Sequence, residues 1–101
     1  MKMTYMYKEQ VCTIIQIDFL NEKISVVNYV NDPLKRAFGV NENPTWEDFK
    51  VFLESRCISK NRANMKWYLQ EIDVPCYDPL LIIEKTKGRM AEDHQWIDIT
   101  Y

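Results

Sequence analysis

Over residues 11–19 the side chains alternate: Val11, Thr13, Ile15, Ile17 and Phe19 on one side, Cys12, Ile14, Gln16 and Asp18 on the other. A period of two is what a β-strand with one buried face requires. Residues 23–30 repeat that character. Leu20, Asn21 and Glu22 lie between the two runs, and asparagine tolerates left-handed backbone, so the pattern predicts a β-hairpin. A lone hairpin is marginal in water and needs another strand or a helix against it. Residues 3–7 and residues 95–101, where Trp96, Ile97 and Ile99 favour extended backbone, are the candidates.

Beyond residue 30 the pattern turns helical. Asp32 before Pro33 resembles a helical first turn, because the carboxylate accepts backbone amide hydrogens and proline lacks the amide that would be orphaned there; Gly39 would end it. Thr45 with Asp48 three residues on forms a capping box, aspartate standing where glutamate is commoner. The helix it opens, over 46–55, puts Trp46, Phe49, Phe52 and Leu53 on one stripe, a core face that Leu80 and Ile83 should join. Ser59 is the expected cap of a helix over 60–72, with Ala63, Trp67, Leu69 and Ile72 inward and its basic residues outward. After a turn over 73–77, Asp78 and Pro79 start a third helix through Leu80, Ile83 and Thr86, and Gly88 stops it. The expected fold class is α+β, a small antiparallel β-sheet (hairpin plus terminal strand) packed against about three α-helices in a single domain over residues 1–101.

Composition agrees with a folded chain: 47% hydrophobic and 13% aromatic residues, with only two glycines and four prolines, leave no low-complexity or linker segment. Cys12, Cys57 and Cys76 are odd in number, widely spaced and without CxxC pairs, which suits free thiols in a reducing cytoplasm better than a disulfide framework or a zinc site. No apolar run approaches the ~20 residues of a membrane span, and the first ten residues are interrupted by Lys8, Glu9 and Gln10 before reaching signal-peptide length. A soluble cytoplasmic protein, not associated with a membrane, is the expectation.

The net charge of −2 hides an asymmetry. Residues 50–66 hold five basic side chains, Lys50, Arg56, Lys60, Arg62 and Lys66, against Glu54 alone, whereas the flanking segments are acidic. Such an island serves either as a solvated helix face or as the rim of a partner surface. Arg89 and Arg56 could bind acidic partners two-pronged, or pair internally with Asp78, Asp93 or Glu92. The sole histidine, His94, could act with Cys76 or Cys57 as base and thiol, but nothing supplies an oxyanion hole or an orienting third group, so no catalytic residue is assigned. Glu92 and Asp93 read as a turn rather than a metal site, because no further oxygen ligand recurs at loop spacing. Neither a metal nor a cofactor is expected. Trp46, Trp67, Trp96 and Tyr68 are expected to furnish the core in so small a chain, the alternative being an aromatic anchor for a partner.

FLESRCISKNR (52–62), YDPLLIIEK (77–85) and GRMAEDHQWI (88–97), preceded more loosely by PLKRAFG (33–39), resemble the N-terminal region of HipA-like serine/threonine kinases of toxin–antitoxin systems. Small stand-alone HipS-like proteins are similar to that same region. The family's catalytic machinery lies far C-terminal to it, so the resemblance implies no kinase activity, only a module that docks on a kinase core and restrains it. Ser59 departs from the proline common at that place in the family.

The expected function is therefore that of a non-enzymatic protein-interaction module, with Arg56, Lys60, Arg62, Lys66 and Arg89 as partner-binding candidates. The alternative partner is a host defence complex of the CRISPR type, occupied by an inhibitor from a phage or mobile element, with Glu42, Glu47, Asp48, Asp73 and Asp78 facing a basic channel. A third reading takes 46–55 and 60–72 as helix-turn-helix with Arg62 and Lys66 in the major groove. A pI of about 5.4 and a turn without glycine weigh against nucleic acid as the partner. Neither the oligomeric state nor the identity of the partner follows from the sequence.

Overall fold

A computed structural model describes residues 1–90 and 93–101. Four strands, β1 (Lys2–Tyr7), β2 (Gln10–Asp18), β3 (Lys23–Asn28) and β4 (Gln95–Thr100), form one antiparallel sheet in the order β3-β2-β1-β4. Three helices, α1 (Trp46–Ser55), α2 (Met65–Glu71) and α3 (Pro79–Thr86), complete an α+β fold. Both candidate flanking segments join the hairpin: β1 pairs with β2, and β4 lies on the other side of β1.

The alternation that predicted β2 holds for Thr13, Ile15 and Ile17, which are buried, but Cys12 is buried too. The register explains this. Tyr5 pairs with Thr13 and Met6 with Val11, so Cys12 is the extra residue of a β-bulge, and both it and Thr13 turn to the core. At the far end Phe19 is 45% exposed, because the strand stops at Asp18. Asp18 caps the following turn by accepting from the backbone and side-chain nitrogens of Asn21, and it is Glu22, not Asn21, that takes the left-handed conformation, at φ +52°.

Helix α1 begins with the anticipated capping box: Thr45 Oγ1 accepts from the Asp48 amide at 3.2 Å and Asp48 Oδ2 from the Thr45 amide at 2.9 Å. Phe49, Phe52 and Leu53 are buried; Trp46 and Leu80 pack half-buried against them. Helix α3 starts as expected, with Asp78 Oδ1 accepting from Leu80 N at 3.0 Å and Pro79 in the first turn. The buried residues of one sheet face, Met3, Tyr5, Ile15, Ile17 and Ile97, share one core with Phe49 and Phe52 of α1, Ile82 and Ile83 of α3 and Leu69 of α2.

Three expectations are overturned. The segment from Asp32 to Gly39 is a pair of turns, not a helix. Asp32 does cap Leu34, but Ala37 gives its amide to the buried Thr13 hydroxyl at 3.1 Å and Arg36 Nε reaches back to the Val30 carbonyl at 2.7 Å, so tertiary partners replace the helical ladder. The second helix begins at Met65 rather than Lys60, because Ser59 closes a local turn instead: its hydroxyl accepts from Asn61 and its carbonyl from Arg62, while Asn64 adopts φ +60°. Trp67 is 73% exposed and not part of the core, and Ala63 is exposed as well; from α2 only Leu69 is fully buried. Among the described residues no helix is long and apolar enough to cross a membrane.

Candidate interaction surface

The five basic candidates do not form one patch. Lys60 and Arg62 lie exposed in the turn before α2, with the Arg62 guanidinium 5.1 Å from the centre of the Tyr68 ring. Lys66, on α2, borders a shallow hollow of about 650 Å³ lined by Met65, Leu69, Gln70 and Val74. Arg56 is no rim residue at all: it is only 7% exposed. Its Nε donates to the Gly88 carbonyl at 3.0 Å, its Nη1 and Nη2 donate to the two Asp93 oxygens at 2.9 and 3.1 Å, and Nη2 also donates to the Gln95 carbonyl at 2.9 Å. The internal pairing with Asp93 thus holds for Arg56; Glu92, the other acidic residue of the anticipated turn, lies outside the described residues. The Arg56 guanidinium holds the Asp93 carboxyl below the ordinary carboxylate range.

Arg89 belongs to a different assembly, one that sequence proximity did not indicate. Its guanidinium lies 5.2 Å from the centre of the Trp96 ring, and Lys87 Nζ lies 5.8 Å from it. On the helix-covered face, Lys35 Nζ and Lys8 Nζ lie 4.4 and 5.7 Å from the Tyr7 ring, which packs against the core and stands perpendicular to the His94 ring at 6.2 Å between centres. Backbone bonds lock the pieces together: Trp96 Nε1 donates to the Lys8 carbonyl at 2.7 Å, the Lys8 amide to the His94 carbonyl at 2.9 Å, and Gln95 Nε2 to the Lys35 carbonyl at 3.0 Å. Lys8, Arg89, Met90, His94 and Trp96 line a hollow of about 400 Å³, with the Arg56-bound Asp93 also in its lining. Among the described residues none of Lys8, Lys35, Lys87 and Arg89 makes an ion pair.

This cationic end borders the face of the sheet that no helix covers. The register places Met6 opposite Val11 and Trp96, and Ile14 opposite Thr4 and Val27, all on that face. Val27 is 54% exposed, and Met6, Val11, Ile14 and Trp96 are half-buried without packing against the core. Met6 and Ile14 stand at even positions of β1 and β2, but Val11, expected on the buried side with Thr13, is carried to this face by the bulge at Cys12, which alternation alone does not reveal. The free edge of β4 next to the cationic end is blunted, since Ile97 N donates to the Lys87 carbonyl at 2.7 Å and the Gln95 carbonyl is held by Arg56.

His94 stands with the Tyr7 ring, while Cys57 is buried against α1 and Cys76 is exposed in the loop before α3, so among the described residues His94 forms no base–thiol pair. Burial pushes the Cys57 thiol up to about 12, which keeps it protonated at neutral pH. Among the described residues no group of three His, Cys, Asp or Glu side chains comes together to hold a metal ion. No protein-family model matches the chain, and neither does any curated protein or solved structure.

Proposed function

We propose that the chain is a non-enzymatic protein-interaction module that docks on a HipA-like kinase core and restrains it. The observation that carries the interaction role is the uncovered sheet face, whose apolar residues Met6, Val11, Ile14, Val27 and Trp96 pack against nothing in the core. Apolar surface of this kind, bordered by charge, suits a macromolecular partner. The choice of a kinase core rests on the resemblance of 52–62, 77–85 and 88–97 to the HipA-like N-terminal region. Within those segments Arg56 donates to both the Gly88 carbonyl and the Asp93 carboxylate, which supports a role for these three in the module's shape.

The inhibitor reading has less to stand on. Of its five acidic residues, Asp48 and Asp78 are occupied as helix caps. The helix-turn-helix reading loses its short turn, since residues 56–64 separate α1 from α2 and Arg62 lies outside either helix.

The test is a titration of the purified chain against the isolated core of a HipA-like kinase, read by calorimetry and by autophosphorylation. Micromolar or tighter binding that slows the kinase, and that Ile14→Lys weakens about tenfold without changing the melting curve, is expected. Absence of binding to the kinase core would sink the choice of partner, and binding indifferent to substitutions on the open face would sink the choice of surface.

A further inference from the structure

We infer that the chain forms a symmetric dimer in which β3 pairs antiparallel with β3 of a second copy, the two-fold axis passing beside Val26. The dimer uses the edge of the sheet and leaves its open face free, so it goes beyond the kinase-docking reading and does not depend on it.

The register of the sheet shows which backbone groups of β3 are spare. In an antiparallel pair, residues that exchange both hydrogen bonds with their partner alternate with residues whose amide and carbonyl point away from it. Tyr29 N donates to the Cys12 carbonyl at 2.8 Å, in the same register that sets Val27 opposite Ile14 and Ser25 opposite Gln16. Lys23, Ser25, Val27 and Tyr29 therefore turn their backbone groups towards β2. The other side of β2 agrees: Ile17 N donates to the Met1 carbonyl at 3.0 Å, so Ile15 and Ile17 serve β1 while Ile14 and Gln16 are left for β3. What remains is the amide and carbonyl of Ile24, Val26 and Asn28, aimed off the edge. Among the described residues no group bonds to them.

This edge is held in shape but not protected. Ile24 and Val26 pack against the core, and Asn28 Oδ1 accepts from Thr13 Oγ1 at 2.9 Å, which draws that side chain inward instead of over the edge. Sheets guard a free edge with proline, a bulge, an inward-pointing charge or a covering segment. Over Lys23–Asn28 the only such device is Lys23 itself, at the start of the strand, whereas the opposite edge, β4, is blunted by the Lys87 carbonyl and Arg56.

A second copy suits the edge in its hydrogen bonds, its length and its charge. Centring the pair on Val26 sets Ile24 opposite Asn28 of the second copy, and every spare amide then meets a spare carbonyl; any other register leaves some of them unpaired. The pairing also stops where the strand stops, because the Val30 carbonyl is already taken by Arg36 Nε at 2.7 Å and Glu22 turns away at φ +52°. The one charged residue of the strand, Lys23, falls at opposite ends of the antiparallel pair, each lysine opposite an exposed Tyr29 ring, whereas a parallel pair would set the two lysines side by side. Val26 meets its own copy on the helix side, and Ser25 meets Val27 on the open face, so no apolar side chain is set against a charge. Two four-stranded sheets become one, and their open faces become continuous.

The experiment is sedimentation equilibrium of the full chain alone, from about 5 to about 500 µM in reducing buffer so that the exposed Cys76 cannot cross-link, together with amide hydrogen exchange at both ends of that range. A single edge strand buries less than a tight interface does, so a monomer–dimer equilibrium with Kd of about 10–100 µM is expected. The amides of Ile24, Val26 and Asn28 should exchange more slowly in the concentrated sample, while those of Ser25 and Val27, already bonded to β2, should not change. Ser25→Lys adds a like charge beside the axis at an exposed position and should weaken the dimer at least about tenfold without moving the melting curve, whereas Met6→Lys, on the open face, should leave the dimer as it is. A chain that stays monomeric throughout, a dimer in which those amides do not slow, or one that Met6→Lys disrupts and Ser25→Lys does not, would overturn the proposal. No kinase core enters these measurements, so a failure to bind one is a separate outcome.

Discussion

The Arg56 guanidinium grips the Asp93 carboxylate with two prongs across 37 residues of sequence, and its remaining donors reach the Gly88 and Gln95 carbonyls, so one side chain ties the end of α1 to the end of α3 and the start of β4. Arg56→Met keeps the buried stem but strands those carbonyls and the carboxylate; a loss of about 3–5 kcal/mol by denaturant unfolding is expected. Asp93→Asn should cost less, about 1–3 kcal/mol, because Asp93 is 36% exposed and Arg56 keeps its two backbone bonds.

The same pair has a pH signature. The folded state holds the Asp93 carboxyl below its ordinary value, chiefly through the hydrogen bond from Arg56, so its protons bind better to the unfolded chain. Its contribution is fully present above about pH 4 and is lost as pH falls through the lowered folded value. Acid titration of the melting temperature should therefore fall less steeply for Asp93→Asn than for the natural chain; identical slopes would show that other carboxylates carry the acid sensitivity.

Gly88 sits at φ +61°, and a Cβ there would come within 3.0 Å of Ile97 Cδ1 and 3.5 Å of Arg56 Cβ. Both the left-handed backbone and the crowding oppose a side chain, so Gly88→Ala should destabilise by about 1–3 kcal/mol in chemical denaturation. Gly39, also left-handed at φ +59°, has only the Pro33 carbonyl at 3.8 Å and serves as the comparison in which backbone strain acts without crowding.

Phe52 is 6% exposed and meets Tyr5 edge-on at 5.1 Å and Phe38 at 5.3 Å between ring centres. Phe52→Ala is expected to cost about 3–5 kcal/mol, and a melting curve that does not move would contradict the α1 register.

Thiol chemistry should separate the three cysteines. Cys76 is exposed, whereas Cys12 and Cys57 are buried with thiols that burial pushes up, so a disulfide reagent should label one thiol quickly in the native protein and the other two only on unfolding.

Much of the fold was legible where the signal is local. The Thr45 and Asp48 box, the Asp78–Pro79 start and the β2 alternation over 13–17 each rest on neighbours a few residues apart, and each was realised. The bulge at Cys12 was not legible, since an extra residue in a strand shows only when its partner strand is known. Asp32 and Ser59 cap turns with the same hydrogen bonds that open a helix, and nothing local distinguishes the two outcomes. Trp67 escaped for a different reason: α2 is so short that a single register decides which of its aromatics faces out. The candidate surface was the least visible part, because Met6, Val11 and Trp96 come side by side only after β1 has paired with β2 and β4. The basic island drew notice by density alone, and its most central member, Arg56, is an internal strut.

The strand order has a kinetic corollary. With β1 in the interior of the sheet between β2 and β4, Lys2 stands opposite Thr100, so the sheet cannot close until β4 is available. During synthesis the β1–β2–β3 meander can form early from near neighbours, but its β1 edge stays bare until β4 brings Trp96 opposite Met6. Loss of β4 would therefore leave a three-stranded sheet with β1 as an open edge, a form prone to self-association.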